Sequence, residues 1–138
     1  MRSADMLPLL EEQLAAGKNV RFSPTGESML PLLRQGVDTV ELSPAIGTLK
    51  CYDVILYRRP NGKYVLHRIV NAGDTYTCIG DAQFVLERGV TREQVLGVVT
   101  CIHRDGKAIP VTDPAYRLWC RVWKCTRPLR HLWHRLTK

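Results

Sequence analysis

The chain has 138 residues, 45% hydrophobic and 24% charged, the balance of one globular domain that can bury a core without staples. It contains no run of eighteen apolar residues and no basic n-region followed by an apolar h-region. Neither a membrane span nor a secretory signal is therefore expected. The formal charge of +7 would mark a nucleic-acid surface only if it were spread over the folded body, and it is not.

Residues 4–16 read as a helix. Leu7, Leu10 and Leu14 recur at i, i+3 and i+7, Gly17 is a stop, and Pro8 suits only a first turn, which moves the expected start to about Leu7. Residues 19–23 form a short strand leading into Thr25-Gly26-Glu27-Ser28-Met29-Leu30-Pro31-Leu32-Leu33. Gly26 permits a tight backbone path, Pro31 stiffens the exit, and Met29 and the leucines anchor the turn in a core. Such a turn would hold Ser28 Oγ in one place, as a nucleophile requires. The bland alternative is a serine-bearing turn before a short apolar helix.

Residues 38–43 alternate and read as a strand, as do residues 51–57. Asn61-Gly62 is a hairpin turn, and the returning strand covers residues 63–70. Period-2 alternation puts Val65, His67 and Ile69 on one face, so His67 is either a satisfied core histidine or a base. Residues 75–79 form the next strand, ending at Gly80-Asp81, where a carboxylate can face a cleft or simply make a turn. Residues 93–103 and 108–111 complete the strands, joined by Asp105-Gly106. Short strands at this spacing indicate an all-β domain. Lys63 is the rival base, but it lies about 13 Å along the strand from His67, so both cannot reach one serine.

These separated motifs resemble the type I signal peptidases and their S24/S26 serine peptidase relatives. They are G-x-S-M-x-P around Ser28, a strand carrying His67-Arg68-Ile69, and Gly80-Asp81. They follow the family's order over residues 20–100. His67 followed by Arg68 is similar to the branch that uses histidine where bacterial members use lysine. The single residue between Gly26 and Ser28 is more like the self-cleaving repressors. The resemblance implies a twisted, partly barrel-like, mainly β fold, to which the residue patterns add a short N-terminal helix and a basic C-terminal helix. It implies a Ser28 nucleophile, a His67 base and an assisting Asp81. The oxyanion and the turn would be held by Thr25, Gly26, Glu27 and Met29. Tyr52 stands where the family has the glycine of another Gly-Asp pair, so Asp53 reads as structural.

The five cysteines form no C-x-x-C and no Cys/His cluster with zinc spacing, so no metal and no cofactor are expected. Their odd number suits a reducing, cytoplasmic compartment. From Pro114 onward there are seven Lys/Arg and no Asp/Glu, whereas residues 1–113 hold 13 of each sign. The domain 1–113 is thus balanced, and the charge sits in a tail, 114–138. Asp113-Pro114 starts a helix in which Ala115, Leu118, Trp119, Val122 and Trp123 share one face. Pro128 interrupts it, and Leu129, Leu132, Trp133 and Leu136 resume it. A basic amphipathic tail with three tryptophans reads as a membrane-surface helix at the inner face of the membrane, as a docking element for a partner protein, or as a helix docked on its own domain. No nucleic-acid motif is present.

The expectation is therefore a serine endopeptidase that cleaves an extended precursor or leader-type peptide through a Ser28–His67 acyl-enzyme mechanism. Two alternatives are a non-catalytic binding module on the same fold and a self-cleaving domain with Ala16-Gly17 as its candidate site.

Overall fold

The computed structural model describes residues 3–23, 29, 32–33, 37–45 and 47–137. Helix α1 runs Ser3–Ala15, so Pro8 lies inside it and the expected start near Leu7 is corrected. The helix forgoes one hydrogen bond at Pro8. It ends at Gly17, which takes the left-handed φ of 84° that lets the chain turn back. Leu10 and Leu14 are the buried positions of its inward stripe.

Eight antiparallel strands form one sheet that is not closed on itself. They are β1 (Val20–Phe22), β2 (Thr39–Pro44), β3 (Val54–Arg58), β4 (Tyr64–Ala72), β5 (Tyr76–Ile79), β6 (Glu87–Val90), β7 (Val95–Arg104) and β8 (Lys107–Pro110). The spatial order is β1-β2-β7-β3-β4-β5-β6, with β8 paired to the other edge of β7. The mainly β reading holds, and the sheet is open rather than closed into a barrel. β6 was not anticipated, because Glu87-Arg88-Gly89-Val90 carries no apolar alternation; it forms by pairing with β5. Residues 92–94, of which 93 and 94 were expected within a strand, make a 3-10 turn closed by Gln94 on Thr91.

The sheet buries apolar side chains on both faces. One face carries Val40, Leu42, Val54, Leu56, Val99 and Ile102 against α1. The other carries Ile55, Tyr57, Val65, Ile69, Tyr76 and Cys78. Burial on both faces explains why β3 reads as a continuous apolar run rather than an alternating one. α1 sits close because Gly97 has no side chain: a Cβ there would lie 3.1 Å from Leu14 Cδ1 and 3.0 Å from the Ser43 carbonyl.

The tail forms α2 (Pro114–Cys125) and α3 (Arg127–Thr137), which meet at Thr126, two residues before the break expected at Pro128; Pro128 sits in the first turn of α3. Asp113 caps α2 by accepting from the Tyr116 N–H. The inward face of α2 differs from the expected one. Tyr116 and Cys120 are buried and Trp119 and Trp123 half-buried, while Leu118 and Val122 are exposed. α2 is thereby part of the domain core rather than a separate tail. Among the described residues no helix is long and apolar enough to cross a membrane, and all five cysteines are unpaired.

Candidate active site

Thr25, Gly26, Glu27 and Ser28 lie outside the described residues. Met29, the residue after Ser28, is described and buried. Its Sδ accepts a hydrogen bond from the Asp81 N–H at 3.5 Å. Met29 itself is therefore held against the Gly80-Asp81 turn.

His67 faces the Tyr57 side of the sheet, on the face that alternation assigns it. Only 5% of its surface is exposed. Its Nδ1 lies 3.4 Å from the Tyr57 hydroxyl, and that hydroxyl donates to Glu87 Oε1 at 2.9 Å. A carboxylate only accepts, so the phenolic proton belongs to Glu87 and the phenolic oxygen is left to accept from His67 Nδ1–H. This selects the tautomer whose Nε2 lone pair is free to take a proton. Arg59 completes the chain, donating to Glu87 from Nε and Nη2 at 3.1 and 2.7 Å.

Burial lowers the His67 pKa from 6.5 to about 4, and Arg59 adds to this, while Glu87 and Asp81 oppose it. The imidazole is neutral at pH 7. Burial would raise the Glu87 pKa, but the hydrogen bonds from Arg59 and Tyr57 outweigh it and the carboxyl is held below its ordinary value. Burial and the Glu87 hydrogen bond push the Tyr57 hydroxyl well up, so it stays protonated.

Asp81 does not take the role expected of it. Its two carboxylate oxygens accept from Arg68 Nε and Nη2 at 2.8 and 2.9 Å, and neither bonds to His67 among the described residues. The reason is the pleat. Arg68 follows His67 on β4 and points to the opposite face, and the Asp81 carboxylate lies on that face. Arg68 Nη1 also donates to the Tyr52 carbonyl, the Tyr116 hydroxyl and Cys120 Sγ. Burial lowers the Arg68 pKa, but Asp81 more than restores it, so the guanidinium stays charged. Tyr52 holds the left-handed φ of 79° that favours glycine, at the position where the resemblance expects one. Asp53 accepts from the Lys50 N–H and closes a turn, the structural role expected of it.

His67 opens into a cleft of about 770 Å³ lined also by Arg59, Phe84, Glu87, His131 and His134. The last two come from α3 and stack on Phe84 at 4.8 and 5.2 Å. Lys63, the rival base, is exposed beside the Asn61-Gly62 turn. Cys78 offers no nucleophile, because burial pushes its thiol up to about 12. Sequence reading missed Tyr57 and Glu87. Tyr57 sits in an apolar run, and Glu87 reaches it only because β6 pairs with β5. No protein-family model, curated protein or solved structure matches this chain.

Proposed function

We propose that the chain is a serine peptidase of the signal peptidase/SOS-repressor type, with Ser28 as nucleophile and His67 as general base. The observation that carries the reading is His67 itself. It is held neutral, its Nδ1–H is directed at Tyr57, and it lines an open cleft. The contact of Met29, the residue after Ser28, with the turn that follows β5 also supports it.

Ser28 Oγ attacks the peptide carbonyl while His67 Nε2 takes its proton. Backbone N–H groups at Ser28 and Glu27, with the Thr25 hydroxyl, meet the oxyanion. The imidazolium returns the proton to the leaving amine, and water then resolves the acyl-enzyme with His67 again as base. Tyr57 and Glu87 orient His67 and offset its transient charge, the work first assigned to Asp81. Asp81 becomes a positioning residue that locks Arg68 and the turn after β5. The substrate class is an extended precursor or leader-type peptide cut after small residues, as the family resemblance implies.

The test is labelling with a fluorophosphonate, followed by mass spectrometry of tagged precursor peptides. The reading predicts one label on Ser28, lost in Ser28→Ala and strongly slowed in His67→Gln, with precursor cleavage lost in both. A folded protein that takes no label, or identical products from wild type and Ser28→Ala, would overturn it.

A membrane surface is the second part of the proposal, and the orientation of α3 favours it. Arg127, Arg130, His131 and His134 face the domain, while Leu129, Leu132, Trp133 and Leu136 face outward, as do Leu118 and Val122 of α2. These six side chains are 53–72% exposed. An apolar ridge on helices that also expose Arg117, Arg121 and Arg135 fits an anionic bilayer surface, and α3 also lines the candidate cleft. A partner protein would need its own acidic, apolar groove to match.

A further inference from the structure

Glu41, Cys101 and His103 share the side of β2 and β7 that faces away from Val40, Leu42 and Ile102. Glu41 is the direct cross-strand partner of Cys101, and His103 follows Cys101 by two residues on the same face. One donor atom from each of the three lies within 4.8 Å of the other two. Glu41 Oε2 and His103 Nε2 are 3.7 Å apart, too far for a good hydrogen bond. His103 Nε2 is buried and has no hydrogen-bond partner among the described residues. A buried ring nitrogen whose nearest acceptor is a carboxylate beyond hydrogen-bond range is poorly satisfied, and a ligand between the two would satisfy it.

From this geometry we infer a binding site for one divalent transition-metal ion, of which zinc fits best, held by Glu41, Cys101 and His103. The donor set is one sulfur, one nitrogen and one oxygen. That mixture suits zinc and its transition-metal neighbours and excludes calcium and magnesium, which want oxygen alone. Zinc bonds of about 2.0–2.3 Å place tetrahedral donors roughly 3.3–3.8 Å apart. The 3.7 Å already found between Glu41 and His103 meets that spacing. Side-chain rotations on the paired strands bring in the third donor, which already lies within 4.8 Å of the other two. The thiol proton leaves to solvent on binding, and water takes the fourth position.

The surroundings leave room for the ion. The cross-strand neighbours on the β8 side are Ala108 opposite His103 and Pro110 opposite Cys101, neither of which carries a competing polar side chain. Arg21 of β1 stands opposite Glu41, and its Nε donates to Thr39 Oγ1 rather than to the trio. The site is independent of the His67 cleft, whose lining contains none of the three residues. Sequence spacing could not reveal it. Cys101-x-His103 is a common pair, and the third ligand arrives from another strand sixty residues earlier.

The test is titration of the full-length, reduced, metal-free protein with Co²⁺, followed by displacement with Zn²⁺. One equivalent should bind with a thiolate-to-cobalt band in the near ultraviolet and intense tetrahedral visible bands, and one equivalent of Zn²⁺ should remove both. Cys101→Ser should abolish the thiolate band, while Glu41→Gln and His103→Ala should each weaken binding about tenfold or more. Cys51→Ser and Cys125→Ser should change nothing. Zn²⁺ should raise the urea midpoint of wild type but not of Cys101→Ser, with circular dichroism showing both folded. No binding near one equivalent, or a cobalt spectrum unchanged in folded Cys101→Ser, overturns the inference.

Discussion

The Tyr57 hydroxyl lies 3.4 Å from His67 Nδ1 and donates its own proton to Glu87, so tyrosine orients the imidazole where an aspartate was expected. The consequence for activity is readable. Tyr57→Phe removes the acceptor for Nδ1–H and frees the other tautomer. With a hydrogen bond worth about 1 kcal/mol, kcat should fall roughly five- to tenfold with KM little changed. Steady-state kinetics on a cleaved peptide check this, and an unchanged kcat would remove Tyr57 from the mechanism.

In the proposed peptidase the buried imidazole sets the acid limb of the pH profile. With a pKa of about 4 in the folded protein, His67 remains a competent base well below pH 6.5. Plots of log(kcat/KM) should be level from about pH 6 upward, bend near pH 4 and approach unit slope only below it. A limb centred near 6.5 would mean that the imidazole is solvated.

Stability responds to the same shift. Between pH 6.5 and about 4 the unfolded chain takes up a proton at His67 that the folded chain refuses. The contribution is complete above the unfolded pKa and is lost as pH falls through that window. The total is about 3 kcal/mol. Urea unfolding at pH 7 and pH 4.5 should show the loss, and His67→Gln should reduce it.

Arg68 and Asp81 are 2% and 0% exposed, so each depends on the other. Asp81→Ala should cost about 3–5 kcal/mol by leaving a buried guanidinium unpaired. The double variant Arg68→Met, Asp81→Leu should cost less than the sum of the single variants, and an additive result would deny the coupling. Truncation at residue 113 removes Tyr116 and Cys120 from the same guanidinium, together with the Trp123 Nε1 donor to the Asp81 carbonyl. The 1–113 fragment should therefore fail to fold cooperatively in urea.

The outward ridge of α3 predicts binding to anionic vesicles. Leu132→Ser with Trp133→Ser should weaken sedimentation with phosphatidylserine-containing liposomes about tenfold or more while leaving thermal unfolding unchanged. Retained binding, or equal binding to neutral liposomes, would speak against a bilayer as the partner of this face.

At the other end of the molecule, Gly97→Ala should destabilise by about 1–3 kcal/mol, because the new methyl meets Leu14 and the Ser43 carbonyl at 3.0–3.3 Å. Leu14→Ala in the same chain should recover part of that loss. No recovery would mean that the Ser43 carbonyl, rather than Leu14, sets the limit.

Local pattern determined much of this protein. Alternation identified β4 and put His67 on an inward face, Asn61-Gly62 marked the hairpin, and Asp113-Pro114 marked the start of α2, since each depends only on near neighbours in sequence. The charge-rich tail was equally legible, because composition needs no fold. Tertiary structure alone decided which partners those residues meet. β6 exists because β5 offers it an edge, and through it Glu87 reaches Tyr57 and Tyr57 reaches His67. Asp81 goes to Arg68 because one step along a pleated strand reverses the side chain, and α2 turns Tyr116 and Cys120 inward because a buried guanidinium needs acceptors. Glu41, Cys101 and His103 converge only where β2 pairs with β7. Pairing between strands distant in sequence follows from burial and hydrogen bonding summed over the whole sheet, and no short window of residues contains that sum.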